Sequence, residues 1–265
     1  MAEVPQREDV PDRRFDGVRR LYGDALFAKI QKRAALIVGL GGVGSWTVEA
    51  LARSGVGRIV LVDMDEVCIS NVNRQIHALP ETVGKSKAMV LKERIVSINP
   101  NCVVTVKNTF FTERTVEDIF SSEPSVVVDA IDRVSNKTLL IATAVARGVP
   151  IVTTGSAGNR SDPSKIKVED LAFTIHDPLL AFVRKKLRSD FGFTRTTGRK
   201  FKVPCVYAPL QKNQGITRFD DSLICDTEEG IRSCNDGMGT VAYMTGTVGL
   251  VAASEAMKLL VAECS

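Results

Sequence analysis

Gly39, Gly41, Gly42 and Gly44 stand in the spacing Gly-x-Gly-Gly-x-Gly, directly after the apolar run 34–38 and directly before a helix-like stretch. Glycines in that context permit a tight turn and let backbone N–H groups approach a phosphate at the positive end of a helix. Asp63 follows 19 residues after Gly44, at the end of the next apolar run, where a carboxylate accepts hydrogen bonds from ribose hydroxyls. These residues alone read most simply as an NAD site. Further along stand Asp65, then Asn71, Asn73, Arg74 and Gln75, then Lys87 at the head of a helix-like stretch, then Asp132 after the apolar run 125–128. Hydride transfer has no use for an extra Arg, Lys and carboxylate around its cofactor, whereas splitting a triphosphate does. Arg74 and Lys87 can neutralise charge growing on the phosphates, and Asp132 can hold a Mg2+ that bridges phosphate oxygens. Each residue singly reads as a surface charge or a helix cap; the set points to a nucleoside triphosphate because all its members fall at or just beyond strand ends.

The elements that must position them are short β-branched runs at 34–38, 58–62, 103–106, 125–128 and 150–153, separated by helix-like stretches at 44–54, 85–98, 115–120 and 135–147. Continuous apolar strands alternating with helices predict an α/β fold, a doubly wound, Rossmann-like and mostly parallel sheet, through about residue 155. After Gly155 the alternation stops. A loop at 158–164, a short strand at 165–168, an amphipathic helix at 178–190, a patternless stretch at 192–237 and a helix from 239 to 261 are expected as additions to the same sheet. The expected organisation is one domain over 1–265: a helical arm at 1–33, the nucleotide-binding part at 34–155, and a part for substrate binding and dimerisation at 156–265.

The chain has 265 residues, 25% of them charged and 44% hydrophobic, proportions that exclude disorder and small disulfide scaffolds. Its net charge of +4 is uneven: residues 184–202 hold eight basic residues against one acidic, a local +7 that leaves −3 for the rest. The six cysteines form no Cys-x-x-Cys pair and the N-terminus is charged, so the reading is a cytoplasmic protein with reduced thiols. Residues 237–254 carry no charge but contain four glycines, which favours a buried or interface helix with a small-residue face over a membrane span.

In order, Gly-x-Gly-Gly-x-Gly, Asp-x-Asp, Asn-x-Asn-Arg-Gln, Val83-Gly84-x-x-Lys87 and the strand-end Asp132 resemble the adenylation site of the ubiquitin-activating-like superfamily that includes MoeB and ThiF, over residues 13–155. The resemblance implies that Gly39, Gly41, Gly42 and Gly44 line ATP, with Asp65 beside them, and that Asp63 holds the ribose. It implies further that Arg74 and Lys87 hold the phosphates, that Asn71 and Asn73 support the phosphate side, and that Asp132 binds Mg2+. Arg20, within Arg19-Arg20-Leu21-Tyr22-Gly23, is similar to an N-terminal Arg that in relatives reaches the partner subunit's phosphates; Arg19 is its neighbour and rival.

Those relatives carry two Cys-x-x-Cys zinc pairs, which this chain lacks, so no zinc site of that type can be built. Cys205 and Cys234 are candidates for a catalytic thiol only by elimination, and an ordinary part-buried thiol is the simpler reading of each. The segment 176–188, with 20–23, 152–158, Cys205-Val206 and the Gly/Thr/Ala-rich C-terminal helix, resembles one branch, the tRNA threonylcarbamoyladenosine dehydratases, nearly end to end. The implied reaction is ATP-dependent adenylation of the carboxylate of N6-threonylcarbamoyladenosine at tRNA position 37, followed by cyclisation and release of AMP. Cyclisation uses a nucleophile within the substrate, so it needs neither thiol nor zinc. Arg184, Lys185, Lys186, Arg188, Arg199, Lys200 and Lys202 then become candidate tRNA contacts. Phe191, Phe193 and Phe201 among them are candidates either for base stacking or for the core. The resemblance also brings a homodimer, a monovalent cation (Na+ or K+) near the C-terminal region and, in some relatives, a cysteine desulfurase with its sulfur-acceptor protein; no residue pattern here carries these. The alternatives are MoeB/ThiF-like adenylation of the C-terminal glycine of a sulfur-carrier or ubiquitin-like protein, and a non-catalytic NAD sensor.

Overall fold

The structure, a computed structural model, describes residues 13–210 and 238–262. Two short helices, α1 (Asp16–Tyr22) and α2 (Asp24–Ile30), lead into β1 (Ala34–Val38), α3 (Gly44–Arg53) and β2 (Arg58–Val62). There follow α4 (Lys87–Ile98), β3 (Val103–Lys107), α5 (Val116–Phe120), β4 (Val126–Asp129), α6 (Val134–Ala146) and β5 (Ile151–Thr154). The chain closes with β6 (Lys167–Asp170), α7 (Pro178–Asp190), β7 (Pro204–Tyr207) and α8 (Ala242–Ala262).

The strands form one seven-stranded sheet in the order β3-β2-β1-β4-β5-β7-β6, parallel except for β6, which runs antiparallel to β7. All five residues of β1 are buried. Because strand side chains alternate, Ala35 and Ile37 enter one apolar layer with Leu51, Leu91 and Ala252, while Leu36 and Val38 enter the other with Phe120, Ile141 and Leu180. Both faces are thus covered by helices, which is why the strands read as unbroken apolar runs rather than alternating ones. The strand order reverses between β1 and β4, and there the diverging connections open a crevice at the C-terminal ends of the strands.

Three departures from the sequence pattern occur, all after residue 155. The predicted strand at 165–168 is β6 at Lys167–Asp170, because Lys165 ends a 3-10 turn at Pro163–Lys165 and Ile166 caps it. The stretch predicted to be patternless holds β7, a fully parallel neighbour of β5 that inserts between β5 and β6. The last helix begins at Ala242, not 239. This helix is long and apolar enough to cross a membrane, yet it lies against α3, β4, β5 and β7. Gly249 makes that packing possible: a Cβ there would stand 2.5 Å from the Val43 carbonyl oxygen and 2.8 Å from Trp46 Cβ. Thr47 donates its hydroxyl to the Gly249 carbonyl at 3.0 Å, fixing the crossing.

Candidate active site

The glycine turn lies at the crevice between β1 and β4. Gly39 has φ +88, open to glycine alone without strain, and a Cβ on Gly44 would fall 1.8 Å from the Gly39 carbonyl oxygen. The turn is held from β2 by Asp63, which follows that strand: one carboxylate oxygen accepts from Leu40 N at 2.6 Å and the other from Asp65 N at 2.8 Å. Each oxygen keeps a second lone pair for a ribose hydroxyl. Burial pushes the Asp63 carboxyl up, and the Lys87 charge opposes that shift. Lys87 opens α4 with its side chain almost wholly buried and its ammonium 2.8 Å from an Asp65 oxygen.

Arg74 reaches the same edge from the segment after β2. Its Cδ lies 3.5 Å from where a Cβ on Gly42 would stand, and its Nη1 donates to the Ser70 carbonyl at 2.7 Å and to Asn73 Oδ1 at 3.1 Å. The Arg74 carbonyl accepts from Trp46 Nε1 at 3.0 Å and from the Thr245 hydroxyl at 3.1 Å, so α3 and α8 together hold this residue's backbone. Asn73 donates to the Thr240 carbonyl at 2.9 Å, tying the segment to the approach of α8. Asn71 is buried, and its Oδ1 accepts from Cys68 N at 3.1 Å, so it supports the turn from behind.

Asp132 is exposed just past β4 and makes no hydrogen bond or ion pair among the described residues. A free carboxylate at that edge, supplying hard oxygen donors, suits a magnesium ion. Arg20 is exposed on α1 and also has no such partner among the described residues, whereas Arg19 is paired with Asp24 at 2.7 Å. Gly39, Gly41, Gly42, Gly44, Asp63, Asp65, Arg74, Lys87 and Asp132 therefore meet at one edge of the sheet.

The basic stretch does not join them. Because β6 runs antiparallel, its C-terminal end and the residues entering β7 lie at the opposite, N-terminal edge of the parallel strands. Asp170 fixes that corner by accepting from the backbone N–H groups of Phe201, Lys202 and Val203. Here a groove of about 680 Å³ is lined by Phe173, Arg184, Lys185, Arg188, Arg195 and Arg199 among others. The length of strands of four or five residues, on the order of 15 Å, separates the two edges along the strands, and β4 and β5 also lie between the groove and the glycine turn across the sheet. Two of the guanidinium groups are engaged internally: Arg184 donates to the Thr174 hydroxyl, and Arg188 lies over the Phe201 ring at 5.1 Å. Lys185, Arg195 and Arg199 are exposed in the groove, with Lys200 and Lys202 exposed nearby, while Lys186 is half-buried. Phe201 is buried against Phe193 and so belongs to the core; Phe191 alone of the three is exposed.

Two buried ion pairs escaped the sequence pattern. Asp129 pairs with Lys137 at 2.8 Å, and Arg160 pairs with Asp177 at 2.8 Å while also donating to the Gly158 and Ala208 carbonyls. The available signal was a lone Lys in the apolar face of α6 and a lone Asp ending an all-valine strand. Cys205 is fully buried on β7, where burial pushes its thiol well up, as an inert structural thiol requires. Cys234 lies outside the described residues.

A glycine turn at a helix N-terminus, a half-buried carboxylate holding that turn, two cations and a free carboxylate at the switch point of a parallel sheet define a nucleotide-binding site of the adenylating type. The chain belongs to the ThiF family, which it matches over residues 17–264. It is 44% identical over 257 residues to the tRNA threonylcarbamoyladenosine dehydratase of Escherichia coli (strain K12), covering 95% of each chain. It is 38% identical to the protein of that name from Haemophilus influenzae, covering 97% of each. A crystal structure of the E. coli tRNA N6-threonylcarbamoyladenosine dehydratase, TcdA, in complex with ATP superposes with a TM-score of 0.83 at 43% identity, covering 95% of each chain.

Proposed function

We propose that the protein is an ATP-dependent tRNA threonylcarbamoyladenosine dehydratase. The observation that carries this reading is the end-to-end likeness to enzymes of that name, over 95% of both chains, with the adenylation motifs converging at one edge of the sheet. The substrate carboxylate attacks the α-phosphate of ATP, forming an acyl-adenylate and releasing pyrophosphate. A nucleophile within the same modified nucleoside then attacks the activated carbonyl, and the former carboxylate oxygen leaves on AMP. The nucleoside is lighter by one water.

In this scheme the glycine turn and the N-terminus of α3 receive the phosphates, and Asp63 receives the ribose. Arg74 and Lys87 neutralise the charge that grows on the phosphates, with Asp65 orienting the Lys87 ammonium and Asn71 and Asn73 shaping the segment that carries Arg74. Asp132 would hold Mg2+, which supplies charge neutralisation between phosphate oxygens when bound. Lys185, Arg195, Arg199, Lys200 and Lys202 grip tRNA phosphates at the far edge, with Arg184, Lys186 and Arg188 adding to the positive field. A homodimer would bring Arg20 of one protomer to the phosphates of the other; the exposure of Arg20 beside Leu21, which is 76% exposed, supports this placement. The enzyme would work in the cytoplasm on its RNA substrate.

The direct test is nucleoside mass spectrometry after incubating the protein with ATP, Mg2+ and threonylcarbamoylated tRNA. The expected product is a nucleoside lighter by one water, formed with AMP. An unchanged nucleoside mass, with pyrophosphate exchange dependent on a protein ending in glycine, would replace this reading with the sulfur-carrier one.

A further inference from the structure

Asp129 and Lys137 touch neither nucleotide nor RNA in that scheme, yet they form a fully buried ion pair at 2.8 Å in the middle of the molecule. Stability does not account for such a pair, because apolar residues of equal volume serve a core at least as well. What the pair holds is more telling. Lys137 Nζ donates to the Ile131 carbonyl at 3.0 Å, and Asp129 Oδ1 accepts from Ile131 N at 3.1 Å. Both backbone groups of the residue immediately before Asp132 therefore end on the two buried charges. The clamp is anchored to β5: Asp129 Oδ2 accepts from the Thr153 hydroxyl at 2.5 Å, and the Asp129 carbonyl accepts from the Thr154 hydroxyl at 3.1 Å.

The same short loop also bears on the glycine turn. A Cβ on Gly39 would stand 2.7 Å from the Ala130 carbonyl oxygen and 3.1 Å from Ile131 N, and one on Gly44 would stand 3.4 Å from Ala130 Cβ. The peptide units of Ala130 and Ile131 thus lie between the phosphate turn on one side and the buried pair on the other. Asp132 has no side-chain partner of its own among the described residues, so its position is set through its backbone.

We infer that Asp129 and Lys137 are positioning residues that fix the Asp132 carboxylate relative to the glycine turn, so that it meets an ATP-bound divalent cation without reorganising. This rests on the assignment of Asp132 to the metal in the proposed function. Supporting groups of this kind tune metal affinity by tenfold or more.

The test is the affinity for Mn2+ of the full-length protein saturated with ATP, read by electron paramagnetic resonance, for the parent, Asp132→Ala, the double variant Asp129→Asn with Lys137→Met, and the triple variant. Removing both charges avoids leaving one of them buried alone. The double variant should weaken Mn2+ binding by about tenfold, and the triple variant should bind no more weakly than Asp132→Ala by itself. Parent-like affinity in the double variant, or losses that multiply in the triple, overturns the inference while leaving the function standing. No effect of Asp132→Ala overturns the metal assignment and the inference with it. Should the double variant fail to fold, Thr153→Val loosens the clamp from β5 and should weaken Mn2+ binding by about threefold, and unchanged affinity there is again a refutation.

Discussion

Replacing Lys185, Arg195 and Arg199 together with glutamine removes three positive charges from the groove at the N-terminal edge of the sheet. They are chosen because they are exposed, whereas Arg184 and Arg188 in the same groove are engaged with Thr174 and the Phe201 ring. Changes at such exposed positions alter stability little, about half a kcal/mol each. Each phosphate neutralised releases counterions and contributes about 0.7 to 0.9 to the slope of log affinity against log salt. Three lost contacts should make the slope shallower by about 2 to 3. Between 50 and 200 mM salt the parent's affinity should then fall about 20- to 40-fold more than the variant's. The assay is filter binding or fluorescence anisotropy with threonylcarbamoylated tRNA across that salt range, in the presence of ATP. ATP affinity should not move, because the groove and the glycine turn lie at opposite strand ends. An unchanged salt slope would show that the groove does not carry the RNA backbone.

At the other edge, Arg74→Ala and Asp132→Ala should each lower turnover by about 100- to 1000-fold without loss of the folded state, measured as AMP release and thermal melting; full activity in either refutes its assignment. Mixing inactive Arg20→Ala with inactive Asp132→Ala should restore about a quarter of parental activity if Arg20 acts across a symmetric dimer, since only mixed dimers hold one intact site; no recovery would place Arg20 within its own subunit's site. His77 is buried without a hydrogen-bond partner for either ring nitrogen among the described residues, and burial beside Lys87 and Arg94 pulls it down to about 4. The unfolded chain binds its proton near pH 6.5, so the neutral ring's contribution is present above that value and lost as pH falls toward 4. His77→Leu should remove about 2 kcal/mol of the stability lost between pH 7.5 and pH 5, and denaturant melts with parent-like pH dependence would refute this.

The nucleotide edge was legible in the sequence for a topological reason. In a parallel doubly wound sheet every strand's C-terminal end faces one side, so residues that merely follow apolar runs, Gly39 to Gly44, Asp63 and Asp132, are brought together by the fold itself. Position along the chain translates directly into position at the site. No such translation exists for β7. It has four residues, begins with a proline, and pairs with β5 some fifty positions earlier, so although Val206 and Tyr207 favour an extended form, nothing local says that it fills the slot between β5 and β6. The Asp129–Lys137 pair was hidden for the same reason: its partners are eight residues apart on a strand and a helix, and only burial distinguishes them from surface charges.

Charge counting failed in a different way, and the failure bears on function. A local +7 could not reveal that Arg184 and Arg188 are occupied within the protein, nor that the stretch would lie at the edge of the sheet opposite the nucleotide. Under the proposed function, that separation sets the residues that would govern RNA affinity apart from those that would govern the chemical step. Groove variants should therefore raise KM for tRNA at nearly constant kcat, and Arg74 or Asp132 variants should lower kcat at nearly constant tRNA affinity. A small modified nucleoside offered without its tRNA would reach the chemical edge but lose the grip of the other, and so should turn over only at much higher concentration. Comparable efficiency with nucleoside and tRNA would mean that the basic groove serves some other partner.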